Sequence, residues 1–432
     1  MYRINLKNEE LRKFRVGYAC LNSDVKTKYR TCRQRNLTIE KWHELIKINL
    51  SVLKEMIEYN RKMKLSMYRI SSDLIPFGSA DVLDYDWANI FQKEFAELRE
   101  LLKNRIRFSM HPGQYTVLNS LSADVVEQAL KDLEYHVKVM RLLGATRKNK
   151  VVLHIGGIYG DKPSAIKRFV EVANGLDQSI LDHLIIENDD RSYNIKDVLE
   201  ISEQTGLPVV FDNLHHEINL PEESRPMKEW IEAAGRTWQA EEGRQIIHYS
   251  QQAEGKRTGA HSATIDSQVL LQFLDSLDEP LDIMLEVKDK NRSTEKLQMI
   301  LNKDLKMAER LWARQKYSML SRSQPNYQEV RQLLKDKTNV DFKRIAELFE
   351  QTEKLAHSPG DAVNAADHVW GYFKKQTTDK EKNDFRKLMD SGIPDSDSER
   401  IVRKYLTKML KKYPNGYLEE SYYFNESLSD NI

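Results

Sequence analysis

The chain is 432 residues long, enough to bury a large core and to divide into more than one domain. Its 67 Lys and Arg offset 66 Asp and Glu to a formal charge of +1, so no bulk field announces nucleic acid or a membrane surface. Two cysteines, Cys20 and Cys32, exclude a disulfide framework and a cysteine zinc site, and no apolar run approaches the roughly 18 residues of a membrane span. Residues 1–7 lack the apolar core of a secretory leader, and the expected compartment is the cytoplasm.

In chain order, residues 14–19 read as a strand followed by a polar loop to about Arg35. A helix is predicted over 37–61, with Trp42, Leu45, Ile46, Leu50, Leu53 and Met56 on one stripe. A strand at 66–71 closes on Ser72 and Asp73, and a helix follows at about 89–103. The strand at 105–110 ends in His111, Pro112, Gly113, Gln114 and Tyr115, and a helix spans 123–143. The strand at 150–153 ends in His154. After a helix at 162–174, the strand at 183–186 ends in Glu187, Asn188, Asp189 and Asp190. A helix at 195–205 has its stop signal in Gly206. The next strand, 208–211, is an unbroken apolar run, as in a strand buried on both faces, and it ends in Asp212, Asn213, Leu214, His215 and His216. A long polar segment separates it from a strand at 245–247 that ends in His248, and the last strand, 281–285, ends in Glu286.

Strands alternating with helix-sized intervals predict a parallel sheet, and eight such units are the number that closes an α/β TIM (β/α)8 barrel. An open doubly wound sheet would carry a Gly-rich phosphate loop after its first strand, and there is none. Residues 321–326 read as a linker, and beyond it lie helical patterns at 327–337, 342–357, 361–375, 380–389 and 398–412 with no strand between them. The expected division is a barrel domain over 1–320 and a C-terminal all-α extension over 321–432 of open role. Residues 400–412 hold six basic side chains around Tyr405, which read either as a phosphate contact or as a solvated helix face. The solvated face is preferred, because Glu419 and Glu420 dilute the charge.

One histidine or glutamate at a strand end has an ordinary explanation as a hydrogen-bonded rim residue. The set His111, His154, Glu187, Asp212, His215, His248 and Glu286, with His261 in the loop after the seventh strand, does not, because all converge on one end of one barrel. Clustered buried carboxylates are strongly unfavourable without cations, and divalent metals remove that cost. Nitrogen and oxygen donors without sulfur suit Zn(II), Mn(II) or Fe(II), and eight ligands exceed what one ion needs. Paired metals suit in-line phosphoryl displacement. No Ser-His-Asp triad or P-loop is present.

The phrases Gly17-Tyr18 with Asn22, Tyr68-Arg69-Ile70-Ser71-Ser72-Asp73, His111-Pro112-Gly113-Gln114-Tyr115, Glu187-Asn188-Asp189 and Asp212-Asn213-Leu214-His215-His216 resemble the UV damage endonuclease family over about 14–315. The resemblance implies a TIM-barrel relative of endonuclease IV that incises damaged double-stranded DNA immediately 5′ of UV photoproducts and some other lesions. It implies divalent ions, two or three per chain, with Mn(II) favoured over Zn(II). Their ligands would be His111, His154, Glu187, Asp212, His215, His248, His261 and Glu286, with Glu187 bridging and with Glu187, His248 and Glu286 carrying the catalytic work. It further implies that Gln114 and Tyr115 probe the duplex and that Tyr18 and Asn22 hold the distorted strand. A monomer acting in the cytoplasm at the nucleoid, with no membrane partner, is expected. Endonuclease IV and its relatives place an Asp two residues before the loop histidine. Here that position is Gly259, which counts against an abasic-site enzyme and leaves a third ion few protein ligands. A barrel of another class, a metal-dependent sugar isomerase or epimerase, also gathers His, Asp and Glu at strand ends, but needs no aromatic probe.

Overall fold

A computed structural model describes residues 14–424 other than position 81, so residues 1–7 and their expected lack of a leader lie outside the described residues. The chain forms two compact units: one holds the residues up to Ile265 and Leu274–Thr294, the other Asp266–Phe273 and the residues from Glu295 onward.

The first unit is a closed barrel of eight strands in sequence order, each parallel to its neighbours. The strands are β1 Arg15–Ala19, β2 Met67–Ile70, β3 Arg107–Met110, β4 Val151–His154, β5 Leu184–Glu187, β6 Val209–Asp212, β7 Ile246–Tyr249 and β8 Asp282–Leu285. All eight expected strands are present. Nearly every strand residue is buried, because barrel interior and helix layer cover the two faces, and this is why the strands are mostly apolar on both faces. The TIM barrel follows from that pattern, since a parallel sheet has to cover both faces and closure leaves no edge.

The end of the barrel where the strands begin is fastened by charge. Asp282, fully buried as the first residue of β8, accepts from Arg15 Nε at 2.8 Å and Arg107 Nη1 at 2.7 Å, the first residues of β1 and β3. Lys150, just before β4, donates at 2.8 Å to Glu242, a few residues before β7. A buried carboxylate with bidentate and paired guanidinium partners suits a face devoted to stability, opposite the functional face.

Helix boundaries follow cap chemistry. Thr38 caps the helix Ile39–Lys62, and Asn194 with Asp197 closes a capping box on Ile195–Thr205. Gly206 ends that helix at φ 70°, a left-handed position that favours glycine. The long polar segment after β6 is not a loop throughout: it holds the helices Asn213–Ile218 and Met227–Gly235, the latter burying Trp230, Ile231 and Ala234.

The second unit is all-helical. It contains Leu305–Leu320, Gln324–Leu333, Phe342–Glu353, Pro359–Trp370, Asp379–Asp390 and Ser396–Lys412. Trp370 stacks on Phe385 at 4.3 Å within a core shared with Tyr317, Leu320, Leu406 and Met409. The linker expected at 321–326 is corrected. Ser323 caps the next helix through Asn326 N, and Pro325 sits in its first turn, where a missing N–H costs nothing. In the basic segment 400–412, Arg400, Arg403 and Lys412 pair with Asp397, Glu399 and Glu381, while Val402, Leu406 and Met409 face the core. Among the described residues, no helix is long and apolar enough to cross a membrane.

Candidate metal centre

Because the strands are parallel and in register, their last residues meet at one end. The register sets His154 beside Glu187 and Asp212 beside His248. His111 and Glu286 follow β3 and β8 directly.

Asp212 ends β6 and begins a helix with the same carboxylate: Oδ1 accepts from His215 N at 2.8 Å as the N-cap of Asn213–Ile218. That bond fixes His215 on the first helical turn. Asn188 locks the junction from β5, donating to Asp212 O at 3.1 Å and accepting from Asp212 N at 2.9 Å.

Glu187 is the hub. Its Oε2 lies 3.1 Å from His111 Nε2 and 3.6 Å from His154 Nε2. Its Oε1 lies 2.5 Å from His248 Nδ1 and 4.0 Å from His215 Nδ1. Ligand atoms of His111, His154 and Glu187 lie within 4.8 Å of one another, and so do those of Glu187, Asp212 and His248. Glu187 is common to both groups. His215 adjoins them, 3.8 Å from Asp212, and His261 stands at the margin, 3.9 Å from Glu286.

The outer hydrogen bonds fix which ring nitrogen is free. His111 Nδ1 donates to Pro112 O at 3.0 Å, and His215 Nδ1 to Asn188 O at 2.9 Å. His111 Nε2 is then a lone pair facing a carboxylate oxygen, an arrangement that needs a cation or a proton between them. Asp212 Oδ2 and His154 Nδ1 are buried without a hydrogen-bond partner. Orphaned donors of this kind, in an all-nitrogen-and-oxygen set, fit one or more divalent ions.

The local field has the same asymmetry. Burial would raise the Glu187 carboxyl, but the imidazoles of His248 and His154 outweigh it and hold the group well below the usual range. Asp212 goes the other way: burial pushes it up to about 6, helped by Glu187 and Glu286 and opposed by His215. Burial acts to lower His215, yet Asp212 and Glu187 raise it to about 9. Burial pushes His154 and His261 down, against the pull of Glu187 on the first and Glu286 on the second.

One member of the centre had no role from the sequence. Arg69, buried on β2, places Nη1 2.8 Å from Glu286 Oε1 and Nη2 2.7 Å from His248 Nε2. A guanidinium only donates, so His248 Nε2 accepts and its proton sits on Nδ1, toward Glu187. Burial would raise Glu286, but Arg69, with His248, holds it below its ordinary value. The available signal was a charged residue inside an otherwise apolar strand, Tyr68-Arg69-Ile70.

The residues expected to touch DNA separate into two kinds. Tyr115 is 82% exposed and Gln114 is exposed, both on the loop after β3. Tyr18 and Asn22 are 0% exposed; Tyr18 donates to Asn60 Oδ1 at 2.7 Å, and Asn22 donates to Tyr18 at 2.8 Å. Asn22 Oδ1 also accepts from Asp24 N and Val25 N, so this pair braces the loop after β1 and offers no surface to a strand.

The family described as UV-endonuclease UvdE matches residues 14–317, and a family of proteins of unknown function, DUF1722, matches 316–427. A UV DNA damage endonuclease of Clostridium perfringens (strain 13 / Type A) is 34% identical over 426 residues, covering 96% of this chain and 100% of its own length. One of Bacillus cereus (strain B4264) is 30% identical over 256 residues, 58% of this chain and 80% of that protein. The crystal structure of SacUVDE superposes with a TM-score of 0.62 at 36% identity, over 66% of this chain and 96% of that one. With its closed barrel and a match over most of its length, the chain belongs to the UV-endonuclease UvdE family.

Proposed function

We propose that this chain is a DNA repair endonuclease that hydrolyses the phosphodiester immediately 5′ of UV photoproducts, using divalent ions held by His111, His154, Glu187, Asp212, His215, His248, His261 and Glu286. The observation that carries the reading is that Glu187 belongs to both potential ligand groups, so one carboxylate would serve two cations. Bound there, Mn(II) or Zn(II) supplies Lewis-acid polarisation of the phosphate and a water of lowered pKa. Mn(II) is the proposed ion.

The chain's own residues do the rest. Asn188 and the N-cap bond hold Asp212 and His215 in place, and Pro112 and Asn188 carbonyls fix the ring orientations. Arg69 holds the His248 ring through Nε2 and Glu286 through Oε1; for His248 to ligate through Nδ1, the proton that nitrogen turns toward Glu187 would have to leave and the Arg69 contact to give way. Gln114 and Tyr115 enter the duplex at the lesion, where a damaged step costs least to open and an aromatic with an amide replaces lost stacking and pairing. The proposed catalytic domain is 1–320 and the proposed extension 321–432, a division that falls inside the second compact unit, while every proposed ligand lies in the first; the protein acts as a monomer in the cytoplasm, at the nucleoid.

The test is incision of an end-labelled, UV-irradiated duplex with Mn(II) and with chelator. A single cut directly 5′ of the photoproduct, extendable by a polymerase from its 3′-hydroxyl and lost on chelation, is expected. Cleavage of unirradiated DNA at the same rate, or full activity in chelator, would overturn the reading.

A further inference from the structure

Loops that follow parallel strands emerge on the same face as the candidate ligands, so their charges surround the site. Those charges are sorted by position. The loop after β1 exposes Lys26, Arg30, Arg33 and Arg35, and it has no acidic residue from Val25 to Ile39. The loops after β7 and β8 expose Lys256, Arg257 and Lys288, with Glu254 as their one exposed acid. Among the described residues, none of these seven makes an ion pair within the chain. The remaining rim differs. The loop after β2 exposes Asp73, Asp84 and Asp86, that after β5 carries Asp189 and Asp190, and that after β6 exposes Glu217, Glu222 and Glu223. The loop after β3 carries Tyr115 and no charge from His111 to Ser122 other than the imidazole.

The three basic loops form one surface. β8 pairs with both β7 and β1. Ser23 N donates to Asn291 Oδ1 at 2.8 Å and Ser23 Oγ to Asp289 O at 3.2 Å, joining the first loop to the eighth. Lys288 N and Asp289 N donate to Ser262 O and Ala263 O, joining the eighth to the seventh. The first loop is also held rather than free. The fully buried Asn49 accepts from Arg30 N at 2.8 Å and donates to Arg30 O at 3.0 Å. Cations in excess, seven to one exposed acid, on a fixed backbone beside an acidic rim fit a polyanion with a set path.

We propose that the sugar–phosphate backbone of the substrate duplex runs along this arc, over the loops after β7, β8 and β1, and that the acidic arc after β5 and β6 stays clear of it. This assignment rests on the endonuclease reading above and adds the side from which DNA is held. Contacts of this kind position DNA without reading its sequence, so they act equally on damaged and intact duplex.

The experiment uses the full chain and duplexes of one sequence, irradiated and intact, titrated across KCl concentrations. Lys26→Gln/Arg33→Gln/Arg35→Gln should lower the slope of log affinity against log salt by about 2–3, since each phosphate that is no longer neutralised removes about 0.9. The loss should be the same on both duplexes. Lys256→Gln/Arg257→Gln/Lys288→Gln, on the other end of the arc, should do likewise, and either triple supports the proposal if the other fails to fold. Arg191→Gln/Arg225→Gln on the acidic arc should leave the slope unchanged. An unchanged slope in both triples, or an equal fall in the acidic-arc variant, overturns the proposal. Wild-type protein that cuts irradiated DNA while the triples keep their slope sinks this inference alone. Wild-type protein that neither binds nor cuts DNA sinks the endonuclease reading as well.

Discussion

Replacing Arg69 by Met tests the electrostatics of the centre. The substitution keeps much of the volume while removing the cation 2.8 Å from Glu286 and the donor 2.7 Å from His248. In the metal-free chain Glu286 is then left near Glu187 and Asp212 with no fixed positive partner. Breaking a buried pair from one side costs about 3–5 kcal/mol; with Glu286 still 16% exposed, the lower end, about 3 kcal/mol, is expected. With Mn(II) bound, the ion neutralises the carboxylates and only hydrogen bonds are lost, about 1 kcal/mol. The thermodynamic cycle then requires Mn(II) to bind the variant more tightly by the difference, about 2 kcal/mol or roughly 30-fold. Urea unfolding of the barrel in chelator and in saturating Mn(II) measures the two stabilities. A titration of free Mn(II) by electron paramagnetic resonance measures the affinity independently. An equal cost in both conditions, with Mn(II) affinity unchanged or weakened, would refute the argument that Arg69 stands in for a cation.

Three further outcomes are expected. Glu187→Gln should slow incision by more than about 10²-fold at saturating Mn(II) with its circular dichroism spectrum intact, because both cation positions lose charge at once; near wild-type cutting would remove Glu187 from the centre. Gln114→Ala/Tyr115→Ala should weaken binding to a lesion duplex by roughly 5- to 150-fold, from ~1–3 kcal/mol of stacking, and leave intact duplex unchanged; equal loss on both would show that the pair only positions the backbone. Metal uptake should release protons. Between pH 6 and 9 the group at about 9, His215, must lose one, so affinity rises about tenfold per pH unit. Below pH 6 Asp212, at about 6, is protonated too, and the dependence steepens to about a hundredfold per unit; an affinity flat from pH 5.5 to 8 would contradict this.

The barrel was legible because each strand is buried on both faces, so runs such as Val209–Asp212 carry no polar alternation to confuse them. The ligands were legible because they stand where those runs stop. Other features were hidden by residues doing two jobs. Asp212 is both strand end and helix cap, so the helix Asn213–Ile218 was merged into the long polar segment after the strand. Ser323 and Pro325 have linker composition, yet the same residue types start a helix. The helix Met227–Gly235 lay inside a polar stretch because only Trp230, Ile231 and Ala234 face inward. For Tyr18 and Asn22, a motif gives identity but not direction, and burial turned both into a brace. Arg69 was overlooked because a charge within a strand reads as an interruption until its partners, far apart in sequence, are known.

The placement of His154, Glu187 and Asp212 at the very last position of four-residue strands has a consequence for how the chain matures. Side chains alternate between the two faces of a strand, so a slip of one residue in β5 against β4 would turn Glu187 toward the helices. Such a slipped barrel could still look folded by helix content. It could not gather its donors, and it would not retain an ion. Tight retention of metal after refolding is therefore a readout of strand alignment, and ion-loaded and ion-free fractions from one refolding mixture should divide the correctly aligned barrels from the misaligned ones.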